Sequence, residues 1–151
     1  MTKSKEEYYS LAINSIQEIS YTYNVNFDFT KLTKDKLSFG MSHNFKPDYT
    51  NDILSLIANV QYRYADNNEI LAEYGILVNF KIPQLEELVT TKENSLEFED
   101  KSLVMNLLNV TIGTLRGALF IKLRGTELEK YPLPLIPFTS LEKAMTKKQK
   151  P

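Results

Sequence analysis

The fold is decided by residues 53–82, which read ILSLIANVQYRYADNNEILAEYGILVNFKI. Apolar and polar residues alternate in both halves, and this period of two is typical of β-strands with one buried face. The inward faces carry Leu54, Leu56, Ala58, Val60, Tyr62 and Tyr64 in the first half, and Ile70, Ala72, Tyr74, Ile76, Val78, Phe80 and Ile82 in the second. Asp66-Asn67-Asn68 tolerates the left-handed backbone of a tight turn. The stretch therefore predicts an antiparallel hairpin that ends before Pro83.

Two more alternating runs precede this hairpin, at residues 19–29 and 37–46. Ahead of them, Ser4 and Glu7 form a capping-box pattern, and apolar residues recur at helical spacing, so a helix is predicted over residues 5–17. Four successive alternating strands indicate an antiparallel sheet with one apolar face that another element must cover.

A long helix from a cap at Asp100 to about residue 123 is the predicted cover, because its apolar residues lie along one side. Gly113 and Gly117 predict close backbone approach to another helix or to the sheet. Gly125 ends the helix as a left-handed cap. The acidic residues 84–100 are interpreted as a solvated connection. The predicted fold class is α+β, with helices packed on one face of a four-stranded antiparallel sheet.

Three prolines make residues 131–138 an extended apolar segment rather than a helix or a central strand. A short helix over 140–145 and a basic tail follow. The predicted organisation is an N-terminal helical extension at residues 1–18, a domain at 19–145 and the tail at 146–151. No segment is predicted to be long enough or apolar enough to cross a membrane, and no signal peptide is evident, so a cytoplasmic location is expected.

Composition excludes several classes of function. The chain of 151 residues has 18 basic and 19 acidic side chains, a net charge of -1, which argues against a nucleic-acid-binding protein. It has no cysteine and one histidine, which excludes disulfides, thiolate sites and mechanisms that need two imidazoles. His43 is expected to be structural, and Glu69 with Glu73 is the one carboxylate pair that an enzyme could use. No metal or cofactor is expected, and an enzyme is the least favoured class.

Two apolar features are expected to be exposed, which usually marks a partner or ligand site. One is the outward side of the predicted sheet, with Ile53, Ile57, Leu71 and Leu77. The other is the proline-rich segment at 131–138. The chain is also rich in aromatic residues, with nine tyrosines and eight phenylalanines, which supply apolar area with few rotors to order.

In its order of elements the chain resembles the SecB family of export chaperones. The resemblance rests on the hairpin 53–82, the helix 103–123, the junction Arg124-Gly125-Thr126 and the stretch LPLIPFTSL at 133–141, and it covers about residues 19–145. It implies ATP-independent binding of unfolded or precursor polypeptides in apolar grooves, and assembly as a dimer or tetramer. The translocation ATPase or an antitoxin is the further partner that the resemblance implies.

Within that resemblance, six apolar residues are predicted to line a client-binding groove: Phe45, Tyr49, Tyr131, Leu135, Ile136 and Phe138. The family is typically strongly acidic, whereas this chain is nearly neutral, so a chaperone with another clientele, such as an antitoxin, is a variant of the same hypothesis. A small-molecule-binding α+β module, with its ligand held between helix and sheet, is the alternative from a different class.

Overall fold

The computed structural model describes residues 11–137 and Ser140. One antiparallel sheet has the strand order β1-β4-β3-β2, where β1 is Ala12–Tyr23, β2 is Leu37–Asp48, β3 is Ile53–Tyr64 and β4 is Glu69–Lys81. Two 3-10 turns, Phe29–Lys31 and Lys34–Lys36, lie between β1 and β2. After the sheet come α1 (Leu85–Leu88), a hairpin of β5 (Val89–Lys92) and β6 (Ser95–Phe98), and α2 (Lys101–Lys122). The predicted α+β class and four-stranded antiparallel sheet are confirmed.

The core lies between α2 and the two central strands, β3 and β4. The inward side chains of β3 from Leu54 to Tyr62 are at most 2% exposed, which follows from the alternation of its sequence. Helix α2 begins where predicted, since Asp100 Oδ1 accepts a hydrogen bond from the Ser102 backbone N–H at 2.8 Å. Gly125, with a φ of 80°, follows its end as predicted.

The helix predicted over residues 5–17 is wrong for residues 12–17, because β1 begins at Ala12. Its pairing with β4 is irregular between Ile13 and Ser15 and again between Glu18 and Ser20. Each bulge adds a residue and interrupts the period of two, which leaves apolar residues at spacings close to those of a helix. The proposed boundary at residue 18 therefore falls inside a strand. Residues 5–10 lie outside the described part of the chain.

A third irregularity reverses the predicted orientation of two residues in β4. The pairing with β3 shifts next to Tyr62 and Arg63, and Leu71 is the residue without a partner in β3. Leu71 is fully buried, whereas Ile70 is 42% exposed. The expectation that Leu71 lies on the outward side was wrong, because a bulge at this point moves it into the core.

The outward side of the sheet is more polar than expected. Asn79 bridges Ser15 and Ser55 by hydrogen bonds across three neighbouring strands, and Ile53, Ile57 and Leu77 are half-buried there. A face covered by serine and amide side chains is compatible with solvent. This side of the sheet is therefore a weaker candidate for an apolar binding surface than the sequence indicated.

The connection at residues 84–100 is structured, contrary to the interpretation of a loose solvated link. Leu85 and Val89 are buried, and the β5–β6 hairpin follows directly. Leu96 and Phe98 alternate with exposed residues in β6 and pack against the core. Its acidic residues mask this alternation in the sequence.

By length and composition alone, α2 is apolar enough to cross a bilayer, with a mean hydropathy of 1.4, so the expectation that no segment meets this criterion was wrong. Its apolarity is explained by its place in the core. Leu107, Leu115 and Leu119 are at most 1% exposed and face the sheet.

Two glycine substitutions are expected to change stability in opposite directions. In Gly75→Ala the new methyl group would lie 2.6 Å from Ser20 Oγ and even closer to Asn59 Oδ1, so both side chains must move; we expect a loss of about 1 kcal/mol. In Gly113→Ala the methyl group meets nothing within 4 Å, and helix propensity should add about 1 kcal/mol. Urea unfolding of the two variants measures both changes. Equal shifts of the same sign would contradict this account.

Candidate functional site

A strip of side chains on the inner side of β2 is left partly uncovered by α2. It consists of Phe39, Met41, His43 and Phe45, here called the β2 strip, which pair in register with buried residues of β3. Their partners are almost inaccessible, whereas Phe39 is 37% exposed and the other three are half-buried. The sheet thus extends beyond its helix and presents an apolar shelf along one edge.

The β5–β6 hairpin bounds one end of the β2 strip. The ring of Phe98 meets the ring of Phe45 edge-on, with centroids 5.2 Å apart. Tyr49, just after β2, shares a hydrogen bond of 2.8 Å between its hydroxyl and that of Thr91 in β5. Edge-to-face packing of this kind adds to the energy of apolar burial, so the hairpin forms a fixed wall.

Tyr62 connects the other end of the β2 strip to the extended segment, defined here as residues 131–136. Its ring packs edge-on against Phe39, with centroids 4.8 Å apart. Its hydroxyl donates a hydrogen bond of 2.7 Å to the backbone carbonyl of Tyr131. Because Tyr62 is only 1% exposed, this bond satisfies a buried hydroxyl and fixes the start of the segment.

Helix α2 holds the extended segment through Arg116. The guanidinium Nε donates to the Leu133 carbonyl at 3.0 Å, and Nη2 donates to the Pro134 carbonyl at 3.0 Å. Leu133 is buried, whereas Leu135, two residues on, is 84% exposed. The segment is therefore anchored at Tyr131, Leu133 and Pro134, and it presents Leu135 to the exterior.

A cavity of about 370 Å³ lies between α2 and the extended segment. Gly113 and Gly117 line it, and a Cβ on either would meet nothing within 4 Å. Among the residues that the structure describes, the predicted close approach of a second backbone at these glycines is thus wrong. The missing side chains leave space instead, and this space adjoins the β2 strip at Tyr62.

We use the name groove for the open surface formed by the β2 strip, the hairpin wall, the extended segment and this cavity. Burial raises the pKa of Tyr62 to about 12, so the hydroxyl stays protonated and can donate to Tyr131 at neutral pH. No cluster of three or more potential metal-ligating side chains occurs among the residues that the structure describes. The described part of the groove thus offers apolar side chains for contact.

Alkaline pH is expected to destabilise the protein through Tyr62. The pKa of a tyrosine in an unfolded chain is about 10, and burial raises the pKa of Tyr62 to about 12. The free energy that neutral Tyr62 contributes to folding is therefore fully present below pH ~10 and is lost as the pH rises towards 12. Urea unfolding midpoints measured across this range should fall more steeply for the wild type than for Tyr62→Phe. At neutral pH the variant should be less stable by about 1 kcal/mol, because the Tyr131 carbonyl loses its donor. Parallel curves for the two proteins would contradict the assignment.

The structure places the six predicted client-binding residues in two groups. Phe45 and Tyr49 lie together at the hairpin wall. Tyr131, Leu135 and Ile136 lie along the extended segment; Leu135 is strongly exposed, and Tyr131 and Ile136 are half-buried against the core. Phe138 lies outside the described residues, as do the basic tail and, apart from Ser140, the helix predicted over 140–145.

The sequence-based site omitted four lining residues: Phe39, Met41, His43 and Phe98. Phe39 and Met41 were assigned to the inner face of a strand, but nothing in the sequence shows that α2 stops short of them. For Phe98 a signal was present, since Leu96 and Phe98 alternate with Ser95 and Glu97. The run is only four residues long, which hides it in an acidic stretch.

The residues considered for an enzyme are engaged elsewhere. Glu73 accepts a hydrogen bond from Gln61, and Glu69 accepts one from Asn24. His43 lies on the edge strand and packs edge-on against Phe45, with centroids 5.8 Å apart. These contacts make His43 part of the groove wall and the two carboxylates part of surface hydrogen-bond networks.

No protein-family model matches the chain, and no curated protein matches its sequence. Among solved structures, the chain is similar to a SecB-like chaperone of Mycobacterium tuberculosis in complex with a ChAD peptide from an antitoxin. The TM-score is 0.53 at 10% sequence identity, and the match covers 84% of this chain and 90% of that one. The likeness extends over nearly the whole described chain and supports a SecB-like fold.

Proposed function

We propose that this protein is an ATP-independent chaperone that holds unfolded or nascent polypeptides in the groove. The observation that carries the proposal is the partly uncovered β2 strip, bounded by aromatic residues at both ends. A holdase gains affinity by burying apolar area, at about 25 cal/mol per Å², without shape-specific chemistry. The SecB-like neighbour, whose structure contains a bound peptide, supports a polypeptide as the ligand.

The proposal includes a cytoplasmic location, assembly into a dimer or tetramer, and no enzymatic activity. Exposed apolar side chains outside the groove support assembly: Ile13 and Ile16 on β1, and Ile121 on α2, are 49–59% exposed. Two clienteles fit the groove, namely precursors destined for export, with docking to the translocation ATPase, and an antitoxin. The antitoxin peptide in the neighbouring structure favours the second.

Suppression of aggregation tests the proposal. With no nucleotide present, the protein should keep a chemically denatured client in solution after dilution, in proportion to the amount of chaperone. Leu135→Ser should weaken this activity several-fold, because the side chain is 84% exposed and its loss removes groove area without disturbing the core. Val25→Ser is the matched control, since Val25 is 78% exposed but lies outside the groove. A wild-type protein without effect at molar excess over the client would refute the function.

The clientele is tested by isothermal titration with two peptides, one from an export precursor and one from an antitoxin. Preferential binding of the antitoxin peptide would support the dedicated chaperone, and equal binding would support the general one.

Light scattering at micromolar concentration measures the oligomeric mass and so tests the proposed assembly. A strict monomer would contradict it.

The cavity of about 370 Å³ favours one alternative, a module that binds a small apolar ligand. Such a protein would gain thermal stability from one class of small molecule, because the ligand binds the native state preferentially. It would leave aggregation of a denatured client unchanged, which separates the two functions.

A further inference from the structure

The outer edge of β2 carries backbone hydrogen-bonding groups beside the groove. The backbone N–H of Ala65 donates to the Lys36 carbonyl at 2.6 Å, and these two residues directly adjoin Leu37 and Tyr64, the first pair in register between β2 and β3. In an antiparallel ladder, residues that exchange such bonds alternate with residues whose N–H and C=O point away from the partner strand. Even-numbered residues of β2 therefore bond to β3, and odd-numbered residues direct their backbone groups outwards.

The other side of β3 confirms this alternation. The N–H of Ile82 donates to the Asp52 carbonyl at 2.9 Å, so even-numbered residues of β3 bond to β4 and odd-numbered ones are left to bond to β2. The two hydrogen bonds are at opposite ends of β3, yet they give one consistent assignment along its length.

The outward backbone groups thus belong to the residues whose side chains form the β2 strip. Phe39, Met41 and Phe45 each present an apolar side chain to the groove and a free backbone edge to its open side, and no partner for that edge occurs in the described chain. Pro47 occupies the next outward position and has no N–H, so the ladder ends there.

The two edges of the sheet differ in how well they suit a further strand. β2 pairs with β3 over twelve residues without a register shift. β1, the opposite edge, has two bulges, and Glu18 lies on its inner side with an ion pair to Lys122 at 3.1 Å. Bulges and inward-pointing charges are features that protect a sheet edge from pairing. β2 lacks the bulges and is flanked by apolar side chains.

We propose that a client segment binds as an added antiparallel strand along β2. This inference rests on the proposed function and specifies its ligand as an extended segment in which apolar and polar residues alternate. Main-chain hydrogen bonds to β2 would supply sequence-independent affinity, and alternate client side chains would enter the groove. In antiparallel pairing the residues whose side chains face the groove also direct their N–H and C=O towards β2.

The test uses a fluorescent peptide as long as the stretch 37–45, with phenylalanine and leucine alternating with serine. Two further versions carry backbone N-methyl groups, one on the apolar residues and one on the serines. We expect the first to bind at least about tenfold more weakly than the unmodified peptide, because it loses several hydrogen bonds to β2. The second should bind nearly as well as the unmodified peptide. The reverse preference would indicate a parallel added strand, and equal affinities of the two methylated peptides would overturn the pairing.

A protein variant gives an independent measurement. Met41→Pro removes one outward N–H, and Met41→Ala controls for the lost side chain; proline is tolerated at such edge positions. Circular dichroism establishes that both variants are folded, and the proline variant should bind the unmodified peptide several-fold more weakly than the alanine variant. If Met41→Pro instead changes the oligomeric mass and leaves peptide affinity intact, β2 pairs with a second copy and the proposal is overturned.

These results separate the pairing from the function. If the unmodified peptide does not bind and does not compete with a denatured client, both proposals fail. If it binds and competes, but the methylated peptides show no difference, only the added strand is refuted and the apolar groove remains the binding site.

Discussion

Arg116→Leu is expected to release the extended segment and to weaken client binding by about tenfold or more. The guanidinium donates to the carbonyls of Leu133 and Pro134, and hydrogen bonds from a charged donor are worth about 1.5–3 kcal/mol each. Leucine keeps the apolar stem but has no donor. Without these bonds, the segment would be held by the Tyr62 hydroxyl, the burial of Leu133 and the packing of Tyr131 and Ile136 against the core.

Limited proteolysis at the Leu135–Ile136 bond measures the release, because local opening is governed by the contacts that hold a segment in place. Cleavage there should accelerate at least tenfold, while β3 and β4 remain protected. Arg124→Leu is the matched control, since Arg124 is exposed at the end of α2 and has no side-chain hydrogen bond in the described chain. Equal behaviour of the two variants would show that Arg116 does not fix the segment.

The central hairpin could be predicted almost residue by residue, because β3 is buried on one face and its alternation is uninterrupted from Leu54 to Tyr62. Helix α2 was equally clear, since its cap at Asp100 and its apolar side agree. In both elements local pattern and tertiary burial point in the same direction.

Prediction failed where an added residue altered the pattern. The bulges of β1 made residues 12–17 look helical, and the bulge at Leu71 exchanged the orientations of Leu71 and Ile70. A bulge changes which face a side chain occupies without leaving a strong local signal in the sequence. At Leu71 the error concerns which face of a strand the side chain occupies, whereas at residues 12–17 it concerns the type of element.

The groove was only partly predictable for a different reason. Whether Phe39 is core or surface depends on how far α2 extends over the sheet, which is a tertiary property. The meeting of Phe45 with Phe98 likewise joins residues from separate elements. Sequence identified apolar residues that needed a partner, and the structure shows which of them the chain leaves uncovered.

Client binding is also expected to depend strongly on Phe45 and Phe98, whose rings are in contact. Replacing both with serine is expected to abolish most client binding, because it removes two large apolar surfaces at once. Complete burial of one such side chain is worth about 1.5–3 kcal/mol, so the double variant should bind about a hundredfold more weakly or worse. It should also loosen the hairpin wall, since the rings hold β6 against β2 at a centroid distance of 5.2 Å.

The single variants separate these two effects. Phe45→Ser and Phe98→Ser both break the ring contact, so their effects on hydrogen–deuterium exchange in the β5–β6 hairpin should be similar and should not add in the double variant. Their effects on client affinity should add if each ring also touches the client. Ile70→Ser is the control for general loss of apolar surface. Ile70 is 42% exposed and lies next to the turn between β3 and β4, outside the groove. An affinity loss in Ile70→Ser equal to that of the double variant would mean that clients bind exposed apolar surface wherever it occurs, and the groove would lose its assignment.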